Sequence, residues 1–219
     1  MKLISSAAFA ASQALANKGL RVSRSHLNEV LAALLGYKTL AALQAEESDP
    51  TLDYHFDDAE RLVLSIPDGA TRAQALGLPG AVAAACAEAV KAKSVVPVHF
   101  GVSAFYDEYA RELLEQSIME GESTAMAMAD SNASFSEDPY LQDEGSTSGD
   151  LWTSPTEWSI EASGTLSGEY DPEGDRMYNG HNFDVWGKLL FAKAGRAGLI
   201  YQDYEEGASA DESWRDDEF

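Results

Sequence analysis

Cysteine is nearly absent from this 219-residue chain: Cys86 stands alone, which excludes an internal disulfide framework and fits a reducing compartment. Its place in the alanine-rich run 81–92 marks it as a small buried apolar side chain rather than a reactive thiol. Long apolar runs are missing as well. None approaches the ~20 residues that cross a bilayer, and the longest, residues 82–90, carries Glu88 inside it, so no membrane span is expected. The opening residues lack the apolar stretch of a secretory signal, since Ser5, Ser6, Ser12 and Gln13 interrupt it; a cytoplasmic location is the expectation. Basic residues are scarce: 15 Lys and Arg face 37 Asp and Glu, a net charge of −22.

That charge is unevenly spread. Residues 1–45 hold Lys2, Lys18, Arg21, Arg24 and Lys38 against Glu29 alone, a local +4. The remainder keeps ten of the 15 basic and 36 of the 37 acidic groups, a net −26. Such a field repels nucleic acid from the whole chain and favours a basic protein partner or simple solubility. The composition, 45% hydrophobic and 24% charged, is that of a chain with enough apolar surface to fold.

Periodicity predicts three helices at the front. Ile4, Ala8, Ala11 and Leu15 share a helical face over residues 3–16, and Asn17, Lys18 and Gly19 end it. Ser25 is the expected cap of a second helix with Leu27, Val30, Leu31, Leu34 and Leu35 as its buried stripe, closed by Gly36. A third short helix opens at Thr39 and yields near Asp49 and Pro50.

A mixed stretch follows. Residues 61–66 read as a short strand, Pro67, Asp68 and Gly69 as a turn, and Thr71 with Gln74 as a capping box opening a helix to Gly77. Pro79 and Gly80 start another helix burying Val82, Cys86, Ala89 and Val90. Residues 95–100 are strand-like, with Pro97 demoting them to an edge or an irregular segment. Ser103 precedes a long helix that puts Tyr106, Ala110, Leu113, Leu114 and Ile118 on one face, and Gly121 separates it from a short segment with Met126 and Met128.

Behind residue 156 the period changes to two. Trp158, Ile160, Ala162, Leu166 and Tyr170 alternate with polar residues, Gly164 marking a bulge or bend; Phe183, Val185, Leu189 and Phe191 alternate again. Asn179 with Gly180, and residues 195–198, supply turns, and residues 199–204 close an antiparallel meander. The predicted fold class is α+β: a helical module over 1–48, a mixed α/β region over 49–133, an acidic linker over 134–156, a β-meander over 157–204 and an acidic tail over 205–219. The acid-rich run into that tail begins at Asp203, and no internal repeat is present.

The series Val22, Ser23, Arg24, Ser25, His26, then Glu29, Leu31, Ala32, and later Gly36, Tyr37, Lys38, Thr39 and Leu43 resembles a small helical module. That module stands at the front of bacterial proteins labelled glyoxalase superfamily and of hypothetical proteins of mobile elements. The resemblance covers residues 5–46, about a fifth of the chain. Arg24 and His26 stand where the module commonly has His and Gln, and Leu40 where it commonly has Trp. It implies a helical fold and a mobile-element setting more than an activity.

Motifs for catalysis are thin. His26, His55, His99 and His181 show no metal-ligand spacing, and neither Asp53, Asp57 and Asp58 nor Asp171, Glu173 and Asp175 follow a calcium-loop pattern. There is no Gly-x-Ser-x-Gly elbow and no phosphate loop. No catalytic residue, metal or cofactor is therefore assigned, and a non-enzyme is favoured. The Ala32, Gly36, Ala42 spacing resembles a helix-turn-helix, yet residues 38–47 offer only Lys38 and Gln44 to a nucleic acid and end in Glu46 and Glu47.

The leading expectation is an acidic interaction protein of bacterial or mobile-element type, whose carboxylates imitate a nucleic-acid backbone toward a basic partner protein. Glu157, Glu161, Glu169, Asp171, Glu173 and Asp175 are its expected partner-facing acids. Alternatives are a DNA-binding regulator using Arg21, Arg24 and Lys38 as a basic patch, and a metal-dependent enzyme of glyoxalase type.

Overall fold

The computed structural model describes residues 2–176 and 180–211, and the chain divides into two compact units. The first comprises Met1–Phe105, Gly149–Trp158 and Phe191–Tyr201; the second comprises Tyr106–Ser148, Ser159–Leu190 and Gln202–Phe219. The class is α+β, with helices at the front and antiparallel strands at the back.

In the first unit, helix α1 (Lys2–Asn17) buries Ile4, Ala7, Ala8, Ala11 and Leu15, the predicted stripe. It ends where Gly19 adopts φ +77 and the Leu20 N–H closes back on the Leu15 carbonyl at 2.9 Å, a left-handed stop that glycine takes without strain. Helix α2 (Arg24–Leu34) starts two residues before the predicted point: the Ser23 hydroxyl, not Ser25, accepts the His26 N–H at 3.2 Å. Helix α3 (Leu40–Glu47) is capped as expected, Thr39 accepting the Ala42 N–H at 3.1 Å.

Helix α4 (Ile66–Ala75) corrects the reading of residues 67–69 as a turn and of Thr71 as a helix start. Pro67 lies in its first turn, where a missing N–H costs nothing, and the Ser65 hydroxyl donates to Asp68 at 2.7 Å. Proline followed by Asp and Gly suits a turn and a helix N-terminus equally; the α2 face decides. Gly69 sits so close to Leu34 that an added Cβ would lie 2.4 Å from its Cδ2.

Helix α5 (Ala81–Lys93) buries Val82, Ala83, Cys86, Ala87, Ala89 and Val90, chiefly against α1 and also against α2 and α4. Strand β1 (Arg61–Val63) pairs in parallel with β2 (Val98–His99), which lies at the sheet edge as Pro97 implied. An aromatic knot completes this unit: Phe105 meets Trp158 at 5.9 Å and Phe191 at 5.6 Å between centroids, and His99 lies edge-on to Phe105 at 5.3 Å.

The predicted long helix is α6 (Val102–Phe105), a π-helical turn at Tyr106–Ala110, and α7 (Arg111–Glu120). Tyr106, Ala110, Leu114 and Ile118 are buried on it, while Leu113 is only half-buried. Helix α8 (Glu122–Ala129) follows Gly121. Its N-terminus is capped from afar: Glu206 accepts the Ser123 N–H at 2.9 Å and bonds the Thr124 hydroxyl at 3.0 Å.

Short strands β3 (Ala133–Ser134), β4 (Tyr140–Leu141) and β5 (Ser146–Thr147) lie in the stretch read as linker. Strand β6 (Glu157–Ser167) is shorter than the alternation suggested. Its continuation, β7 (Glu169–Tyr170), leaves to pair with β3 in a separate two-stranded sheet, so Tyr170 is 51% exposed rather than buried. Strands β8 (Asn182–Ala194) and β9 (Gly198–Ala210) form a hairpin, and β9 runs past the start of the predicted acidic tail. The main sheet has the order β2-β1-β9-β8-β6-β4, with β5 also on β6. Asn179 of the predicted Asn-Gly turn lies outside the described residues.

Candidate functional site

The second unit carries a groove of about 540 Å³ lined by Tyr140 and Gln142, by Ser163, Gly164 and Thr165, by Asp184, Val185 and Trp186, and by Ser209. Period-two geometry produces it. On β8, Phe183, Val185 and Leu189 face inward, so Asp184 and Trp186 face out. On β6, Ala162 and Leu166 go inward and leave Ser163 and Thr165 outside.

Two close approaches shape the walls. Strand β4 pairs with β6 so that Tyr140 faces Thr165 and Leu141 faces Gly164. A Cβ on Gly164 would lie 2.0 Å from the Tyr140 carbonyl oxygen, so this glycine admits a neighbouring backbone rather than marking the predicted bulge. Across the hairpin, a Cβ on Gly207 would lie 2.3 Å from Trp186 Nε1, so glycine makes room for the indole to pack against β9. The outcome is a wall of Tyr140, 72% exposed, and a wall of Trp186, 42% exposed, with small polar residues between them.

Electrostatically the groove is one-signed. Among the described residues Asp184 is the one charged residue that lines it, Glu161 is exposed two positions before Ser163, and Lys188 is held by Glu205 at 3.1 Å. The floor is rigidly backed: the Gln142 N–H donates to the Ser163 carbonyl at 3.0 Å, and the Tyr106 hydroxyl to the Gln142 carbonyl at 2.7 Å. Burial raises the pKa of Tyr106, keeping that donor protonated.

Of the predicted acidic set, Glu161 alone belongs to this strand face in the second unit. Glu157 heads β6 within the first unit. Glu169 lies on β7, and Asp171, Glu173 and Asp175 lie in the loop beyond it, where Asp171 accepts the Glu173 N–H at 3.0 Å. Of the predicted basic set, Arg21 and Arg24 are exposed, and Lys38 lines a separate cavity in the first unit. Helix α3, where a helix-turn-helix would carry its reading helix, spends its terminal acids internally. Glu46 accepts the Tyr37 hydroxyl at 2.7 Å, and Glu47 accepts the Phe56 N–H at 2.9 Å.

The sequence reading missed Tyr140, Asp184 and Trp186. An exposed-phase Trp in an alternating strand was the available signal. Among the described residues no three His, Cys, Asp or Glu gather as a metal-holding group, and no helix is long and apolar enough to cross a membrane. No family model matches the chain, and no curated protein or solved structure matches it.

Proposed function

We propose that the protein is a non-enzymatic interaction module that holds a lysine- or arginine-bearing segment of a basic partner protein in the groove between Tyr140 and Trp186. The carrying observation is that lining: two exposed aromatic rings flank small polar residues and one carboxylate, with no basic side chain among them. Aromatic faces attract ammonium and guanidinium groups by about 0.5–2 kcal/mol, and Asp184 with Glu161 adds charge complementarity. The acidic remainder of the chain raises the encounter rate of such a partner. Because Ser163 and Thr165 separate the carboxylates, this reading favours a pocket for a basic side chain over imitation of a phosphate row. The DNA-reading alternative draws less support, since α3 ends in Glu46 and Glu47.

The test uses the full chain and a fluorescein-labelled octapeptide of alternating lysine and glycine, read by anisotropy. Binding should weaken at least tenfold in Trp186→Ala, weaken in Asp184→Asn, and fall between 0.1 and 1 M salt as the screening length shrinks from about 10 to 3 Å. Unchanged affinity in both variants overturns the assignment.

A further inference from the structure

The first unit contains a second concavity, lined by charges of both signs. It encloses about 450 Å³ between the α2–α3 connection, α4, the loop carrying Asp150, Trp152 and Thr153, and Arg196 of the β8–β9 turn. Gly36, at φ +83, lets Trp152 pack onto the α2–α3 connection: a Cβ there would lie 2.8 Å from the Trp152 side chain. The indole is fixed by donating Nε1–H to the Val63 carbonyl at 2.9 Å.

Three cations line this cavity, Lys38, Arg72 and Arg196, together with Asp68 and Asp150. The acids already have donors: Asp68 takes the Ser65 hydroxyl at 2.7 Å, and Asp150 takes the Trp152 and Thr153 N–H groups at 2.9 and 3.1 Å. The cations are committed unequally. Arg72 is paired with Glu29 at 2.5 Å. Arg196 forms an ion pair with Glu46 through Nε at 3.3 Å and reaches the Gly36 carbonyl with an Nη at 3.4 Å, while stacking over the Tyr37 ring at 5.0 Å. Lys38 is exposed and makes no ion pair among the described residues.

We infer that this cavity is a binding site for a small molecule bearing a carboxylate or phosphate on a flat ring, the anion held by Lys38 and Arg196 and the ring lying against Trp152. The volume lies within the ordinary range for small ligands, ~300–1,000 Å³. A guanidinium with spare donors beside a free ammonium is the usual arrangement for an oxyanion. Of the five basic groups in residues 1–45, Lys38 is the one that lines this cavity.

Calorimetric titration of the full chain with benzoate, phenyl phosphate and benzamide tests it, with tryptophan fluorescence as a second readout. At least one anionic probe should bind tenfold or more tightly than benzamide. Whichever of benzoate and phenyl phosphate wins identifies the head group. Lys38→Met, at an exposed position, should lose at least tenfold for that probe, and Lys38→Arg should restore most of it. Equal binding of benzamide, no binding of either anion, or full affinity in Lys38→Met would overturn the assignment.

Discussion

Raising the pH from 7 to 9 should stabilise the first unit, although the chain is already strongly negative. Lys193 is only 6% exposed and donates from Nζ to the Arg196 carbonyl at 2.6 Å. Burial pushes its amine from an ordinary 10.5 down to about 7, against the opposing pull of Glu46 and Asp150. Between those values the unfolded chain holds a proton that the folded chain has lost, so stability climbs with pH by up to about 1.4 kcal/mol per unit. From pH 7 to 9 the gain integrates to about 2 kcal/mol, less than the full slope gives because the amine is half-titrated at the start.

Cys86 works in the opposite direction in the same unit. Burial lifts its thiol from 9.0 to about 12, so above pH 9 the folded state keeps a proton that the unfolded state gives up. That takes back a fraction of a kcal/mol by pH 9 and about 1 kcal/mol more by pH 10, where it nearly cancels the continuing gain from Lys193. Tyr37, raised by burial and by its hydrogen bond to Glu46, adds a loss above pH 10. The expected profile of urea-unfolding free energy is a net rise of about 2 kcal/mol to pH 9, a plateau to 10 and a decline beyond. Lys193→Met should abolish the rise, and Cys86→Ala should extend it past pH 9. A flat or falling curve between pH 7 and 9, or a rise that survives in Lys193→Met, refutes the reasoning.

Gly69→Ala should destabilise by about 1 kcal/mol: the ~1 kcal/mol helix preference for alanine is outweighed by overpacking of about 1–3 kcal/mol against Leu34, and Leu34→Val should relieve it in a urea-unfolding double-mutant cycle. Glu206→Ala should cost about 1–2 kcal/mol and speed amide exchange at Ser123, since it strips the cap from α8; exchange unchanged there would show that the cap is not needed.

The helical front was legible because its information is local. Thr39 before Leu40, and glycine at 19 and 36 after an apolar stripe, act within one turn of the residues they govern. Even there the error at Ser25 arose because Ser23 and Ser25 are interchangeable caps until the α2 stripe is placed in space. Residues 66–69 were misread because proline, aspartate and glycine favour a turn locally, while the Leu34 face that makes Gly69 useful comes from another helix. The strands were legible as alternation but not in extent. Tyr170 keeps the phase of Leu166, yet its partner is Ala133 in a different sheet, and no period encodes a change of partner.

The candidate groove was opaque for the same reason, and its chemistry shows what an acid count omits. Listing carboxylates by position grouped Glu161 with Glu169 and Asp171, though the break between β6 and β7 sends Glu169 to a different sheet and leaves Asp171 in the loop beyond it. What makes a surface is register: Tyr140 meets Thr165 because β4 pairs there, and Trp186 packs against β9 because residue 207 has no side chain. A ring half exposed on a strand, opposite a glycine that alone lets it pack there, differs from an exposed aromatic left over from packing. The first has a fixed orientation and so loses little entropy when something lies against it. On the proposed reading, net charge would select the sign of a partner, whereas the packing of Trp186 over Gly207 would give that partner an ordered surface to hold.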